Sequence, residues 1–95
     1  MNYIESLNTP VEVITVFRTG IDNGKICYPA KMKYRNQEIV FTELGLRHPT
    51  AKGKRMIHVF EMSDGVNDYR LEFDAEHLTW TLASILEGHY DRRYQ

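Results

Sequence analysis

Between Ala30 and Leu82 the chain can be laid out as three successive hairpins whose registers agree, and this constrains the fold more than any motif does. In the first, a two-residue turn at Asn36-Gln37 pairs Arg35 with Glu38. Tyr34 then faces Ile39 and Met32 faces Phe41 on one apolar face, while Lys31, Lys33 and Arg35 point the other way. In the second, a four-residue loop after Ser63 sets Met62 opposite Tyr69 and Phe60 opposite Leu71. The same register puts Glu61 against Arg70, opposite charges on the outer face. In the third, Leu78, Trp80 and Leu82 fall opposite Phe73, Leu71 and Tyr69.

The rest of the chain is read around these hairpins. Residues 1–9 are polar and end at Pro10, as a mobile arm or a strand added at a sheet edge. Residues 11–19 carry apolar side chains on both faces (Val13 and Phe17 on one, Ile14 and Val16 on the other), which suggests a central strand. Asn23-Gly24 is a strong hairpin signal, and a second strand follows over residues 25–34. Pro29 marks that strand as an edge, a bulge or a bend. A third strand over residues 38–46 runs into Arg47-His48-Pro49, and residues 50–54 read as a flexible basic loop. Residues 78–86 are ambiguous. Asp74 can cap a helix, and Leu78, Leu82, Ile85 and Leu86 share a helical face. Trp80 would then lie on the wrong side, and Thr79-Trp80-Thr81 favours a strand. A strand is the reading taken, with its periodicity breaking after Leu82 at a bulge or a short helix.

Ninety-five residues make one domain (arm 1–9, β core 10–87, polar tail 88–95). A chain of this size buries roughly 60–65% of its unfolded surface. With 42% hydrophobic and 26% charged residues, the composition is that of a folded protein. Cys27 is the only cysteine, so no internal disulfide forms, in keeping with a reducing cytoplasm. The sequence shows neither a secretion signal nor an apolar run long enough for a membrane helix, so a cytoplasmic location is expected. The net charge of −1 hides a segregation. Residues 25–58 carry eight basic and two acidic groups, and residues 59–95 carry three basic and eight acidic. Either one face suits anions, or antiparallel strands bring the two segments together and the charges cancel.

Pro29-x-x-Met32-x-Tyr34-Arg35-Asn36-Gln37-x-Ile39-x-Phe41, followed later by Trp80-x-Leu82, resembles the pattern of a group of small bacterial domains of unknown function. That pattern runs proline, apolar, aromatic, a tight turn, an alternating strand, and a closing Trp-x-Leu strand. The chain departs from it at Tyr34, where the group tends to have tryptophan, and at Asn36, where it tends to have glycine. The resemblance implies a small antiparallel β-domain and brings no catalytic residue with it.

Candidate functional residues centre on the basic loop. Arg47, His48, Lys52, Lys54 and Arg55 can contact phosphates or an acidic protein surface, with Lys31, Lys33 and Arg35 extending the patch if they share its face. A pI near 6.4 weighs against a dedicated nucleic-acid binder. The four histidines, His48, His58, His77 and His89, lack the spacing of a helical zinc site, so no metal or other cofactor is expected. Asp64, Asn67 and Asp68 read as turn residues rather than calcium ligands. No serine sits in a nucleophile elbow, and Cys27 reads as a small strand hydrophobe. The clustered carboxylates Glu72, Asp74 and Glu76 read as solvated turn residues rather than an acid–base pair, and an enzyme is not expected.

The expected architecture is therefore all-β: about six antiparallel strands in meander order, forming a small SH3-like open barrel. The alternative is α+β, five strands with a C-terminal helix. The expected core is Val13, Phe17, Met32, Tyr34, Phe41, Val59, Phe60, Leu71, Phe73, Leu78, Trp80 and Leu82, with Trp80 central. The leading functional reading is a non-catalytic binding module acting through the basic loop. A second is a structural subunit that forms a homodimer through an edge strand. A third is a ligand-binding or enzymatic barrel with a pocket near His58, where it converges with Tyr69 or Glu43.

Overall fold

The alternating pattern is realised as seven strands in a computed structural model that describes residues 3–20 and 25–88. These are β1 (Tyr3–Thr19), β2 (Lys25–Tyr34), β3 (Gln37–Val40), β4 (Glu43–Lys52), β5 (Arg55–Ser63), β6 (Asp68–Asp74) and β7 (Thr79–Glu87). All pair antiparallel in one sheet of order β3-β2-β1-β7-β6-β5-β4. The Asn23-Gly24 turn and tail residues 89–95 lie outside the described residues. No helix occurs among the described residues, so the C-terminal helix alternative is overturned. Likewise no helix is long and apolar enough to cross a membrane.

Residues 3–9 are strand, and that strand is central. The first half of β1 pairs with β7 from Tyr3↔Glu87 to Val11↔Trp80, and the second half pairs with β2 from Glu12↔Lys33 to Thr19↔Lys25. A bulge between Ser6 and Thr9 bends β1, and Asn8 takes φ 51° there, a left-handed conformation that asparagine tolerates. Pro29 sits at a second bulge, where Ile14 pairs with Lys31 and Thr15 with Pro29, leaving Ala30 as the extra residue.

The β2–β3 turn is Arg35-Asn36 rather than Asn36-Gln37, with φ of 52° and 62° at the two central residues, as a type I′ turn requires. Met32 therefore faces Ile39 instead of Phe41. The slip is two residues, so every side chain keeps its face. The β5–β6 hairpin has the register read from sequence, with Met62↔Tyr69, Phe60↔Leu71 and Glu61↔Arg70. At β6–β7 the slip is again two: Phe73 pairs with Trp80 and Leu71 with Leu82. Leu78 drops out of the strand into the turn, at φ 57° and 75% exposed. The phase break after Leu82 is a bulge, because Arg70 pairs with Ser84 while Leu71 pairs with Leu82.

The third strand expected from sequence is split in two, which gives seven strands instead of six. Phe41 and Thr42 form the hinge: the Phe41 amide donates to Ala30 O of β2 at 3.0 Å, and the Thr42 amide donates to Ser63 O of β5 at 2.7 Å. Across those two residues the chain changes neighbour from one end of the sheet to the other. β3 and β4 remain its edges, and no ladder closes the sheet into a barrel.

One face of the curled sheet holds the core: Met32, Phe60, Met62, Tyr69, Leu71, Phe73, Trp80, Leu82 and Ile85. Val13, Tyr34 and Phe41 pack against it, half-buried. Phe17, expected inside, is 67% exposed because β1 outruns the partners that would cover it. Val59 is buried on the opposite face from Phe60, between His48 and Glu72. Trp80 ties the halves together: its ring lies 4.8 Å from Phe73 and 5.3 Å from Phe60, and its Nε1–H donates to Thr15 Oγ1 at 3.0 Å. Replacing Trp80 by Ala is expected to cost about 3–5 kcal/mol in urea denaturation, whereas Leu78→Ala stays within about 0.5 kcal/mol of wild type. The reverse order would mean that the third hairpin is in the wrong register.

Candidate binding cleft between β2 and β4

The residues singled out as a basic loop are mostly strand. β4 continues through Arg47, His48 and Pro49 to Lys52, Arg55 opens β5, and the turn between them is only Gly53-Lys54. Pro49 reads from sequence as a stop, but β4 is an edge strand, where proline is admitted. Gly53, at φ 64°, occupies the first central position of the turn, the place for glycine in a two-residue hairpin.

Two of the loop's cations are held by the acidic third of the chain. Lys52 Nζ lies 2.6 Å from Glu72 Oε1, and Arg55 Nη1 lies 2.7 Å from Asp74 Oδ2. Glu72 and Asp74, read from sequence as solvated, are thus largely covered counter-ions. Lys31 pairs with Glu38 at 3.4 Å, and Glu61 with Arg70 at 2.8 Å. Such half-exposed pairs add roughly 0–1 kcal/mol each, so their main effect is to cancel the field of the basic segment. Lys31 and Lys33 lie on β2, separated from the β4–β5 hairpin by β1, β7 and β6 in the order of the sheet. Arg35 lies over the Tyr34 ring at 5.1 Å. Of the eight candidate cations, Lys31, Lys52 and Arg55 are thus paired with carboxylates and Arg35 lies on an aromatic ring.

The polar clusters serve the turns. Asp64 Oδ1 accepts from the amides of Val66 and Asn67 at 2.8 Å, and Oδ2 accepts the Tyr69 hydroxyl at 2.7 Å. Burial works against ionisation of Asp64, but these hydrogen bonds outweigh it and hold the carboxyl below its ordinary value. Asp74 Oδ1 accepts from the amides of Glu76 and His77, and Oδ2 meets His77 Nδ1 at 2.9 Å beside Arg55. The hydrogen bond from His77 leads the causes that lower the Asp74 carboxyl. Asp74, Glu76 and His77 have the donor set and closeness of a metal site. Asp74, however, is already engaged by two amides, an imidazole and a guanidinium, which fits a turn cap. Burial pushes the Cys27 thiol up, against a pull down from Arg47, so it stays protonated near neutral pH and is a poor nucleophile.

A different feature emerges where the two ends of the sheet approach each other. Residues 25–29 of β2 bond to β1 alone, and β4 bonds to β5 alone. The Cα atoms of β2 and β4 stay more than 8 Å apart over almost all their length, against ~4.8 Å between hydrogen-bonded strands. Between these unpaired edges lies a cleft of about 280 Å³ lined by Tyr28, Pro29, Phe41, Thr42, Glu43, Leu44 and the core residue Met62. Leu44 on its β4 rim is 49% exposed, while Leu46, 53% exposed, lies past the bulge on the opposite face. Arg47 stands opposite Phe60 in register, hence on the core-facing side, and makes no ion pair among the described residues. His58 lies between Pro49 and Phe73 and does not line the cleft, and neither does Tyr69.

The sequence reading missed this cleft, although one signal for it was present. Phe41 and Leu44 are three residues apart, so a single alternating strand cannot put both on one face. No family model matches the chain, and no curated protein or solved structure matches it either.

Tyr69 offers a check on the site's packing. Burial first, then the hydrogen bond to Asp64 and its charge, push the phenol up to about 12. The stability this contributes is complete below the ordinary tyrosine pKa and is lost as pH rises through the folded value. In an alkaline absorbance titration, one of the six tyrosines is expected to ionise late, near pH 12, and Tyr69→Phe to remove that phase. A late phase that survives in Tyr69→Phe would mean that Tyr69 is not held as described.

Proposed function

We propose that the chain is a non-catalytic binding module whose partner is a protein segment docked in the cleft between β2 and β4. One observation carries this reading: two unpaired strand edges face each other across an apolar opening floored by the buried core residue Met62, with Leu44 half-exposed on its rim. An exposed apolar edge is a liability unless it is covered in use. The small SH3-like barrel is the form the sheet takes when that opening is filled. Catalysis is the poorer reading because Asp64, Asp74 and His77 are spent on turns and the Cys27 thiol is protonated. Phosphate binding is the poorer binding mode because Lys52 and Arg55 already have carboxylate partners.

The test is a selection of displayed random peptides against purified protein, each selected sequence being resynthesised and titrated by anisotropy. Selected peptides are expected to be rich in apolar residues and to lose about tenfold or more in affinity on Leu44→Lys but not on Leu46→Lys, which lies on the opposite face. Both positions are half-exposed, so folding should survive the substitutions. Oligonucleotides titrated in parallel should not bind. Steeply salt-dependent oligonucleotide binding, abolished by Lys52→Glu with Lys54→Glu, would overturn the reading in favour of nucleic acid.

A further inference from the structure

Resting on that reading, we propose that the docked segment is extended and adds as a strand antiparallel to β4, with an apolar residue beside Leu44 and a carboxylate beside Arg47. The Cα atoms of β2 and β4 stay more than 8 Å apart over almost all their length, beyond one strand spacing, so the β4 edge is left open to pairing with an extended chain. β4 offers ten residues with one side free of any ladder. The opposite wall at Tyr28 and Pro29 supplies apolar contact but, at the proline, no amide donor. The added strand therefore takes its hydrogen bonds from β4 and its apolar cover from β2.

The bulge at Gly45 sets the side-chain pattern. Leu44 pairs with Met62 and Leu46 with Glu61, so the consecutive core-facing residues of β4 are Leu44 and Arg47, three positions apart. On a regular partner strand the residues facing them are two apart. Read from the N-terminus of a strand antiparallel to β4, the recognition pattern is thus acidic-x-apolar: the acidic residue meets the Arg47 guanidinium, which makes no ion pair among the described residues, and the apolar one covers Leu44 above Met62. Gly45 itself admits no side chain without crowding, since a Cβ there would stand 3.2 Å from Glu61 O. A second copy of the chain is the poorer occupant. Self-pairing of β4 centred on Arg47 opposes two guanidinium groups, and centred on His48 it sets Pro49 against Arg47.

The probe is a fluorescein-labelled octapeptide, Thr-Val-Thr-Val-Thr-Glu-Thr-Val, titrated by anisotropy, with amide hydrogen exchange followed in its presence. Binding is expected to slow exchange along β4. Of two forms N-methylated at alternate amides, the one methylated on the amides that face β4 should bind about tenfold or more weakly and the other like the parent, because backbone hydrogen bonds to β4 carry this mode. Arg47→Glu should weaken binding similarly and be rescued by a peptide with lysine in place of glutamate. Equal binding of both N-methylated forms, or protection away from β4, would overturn strand addition. Failure of this octapeptide while selected peptides still bind at Leu44 would sink the strand mode and leave the binding module standing. Failure of every peptide would remove both. Mass that doubles with concentration and is lost in Leu46→Lys would replace the partner segment by a second copy.

Discussion

The sheet depends on β1 changing partners between Val11 and Glu12. Without that exchange, β2–β3 would be a two-stranded ribbon detached from the four-stranded β4–β7 sheet, leaving one side of the core uncovered. Two-stranded ribbons are marginal in water, and a core of this size needs strands from both sides. The exchange is secured where it happens. Thr15, just beyond it, accepts the indole N–H of Trp80, and Trp80 carries Phe73 and Phe60. A polar tip that finds its partner lets the largest side chain of the core lie 7% exposed without an orphaned donor.

The faces of the strands were legible in the sequence to the extent that period two makes them so. Met32, Tyr34, Phe60, Leu71, Phe73, Trp80 and Leu82 lie where alternation puts them, even in hairpins whose register is two residues off. Register itself is decided by turn conformation, and the decisive residues are not glycines. Arg35, Asn36 and Leu78 all take positive φ, which no propensity rule assigns to arginine or leucine. Phe17 was misplaced because alternation tells which way a side chain points but not whether anything lies over it.

The cleft was illegible for a related reason. It consists of missing pairings, and sequence pattern speaks of pairs that form. The basic segment was legible as composition but not as a surface. Lys52 meets Glu72 only because β4, β5 and β6 lie side by side, a neighbour relation set by topology. Glu61 and Arg70, by contrast, lie within a single hairpin, and their pairing could be read in advance.

The pairing of Tyr3 with Glu87 has a consequence for how the chain folds as it is made. The first strand to be synthesised waits for the last, so the β5–β6–β7 meander, whose contacts are local, is able to form long before β1 can be clasped. A contact order raised by such end-to-end pairing places folding in the slow range of small proteins, roughly milliseconds to seconds. During that interval the nascent first strand is an unpaired edge with its apolar residues on show, the state in which a β-protein is most exposed to meeting another copy of itself.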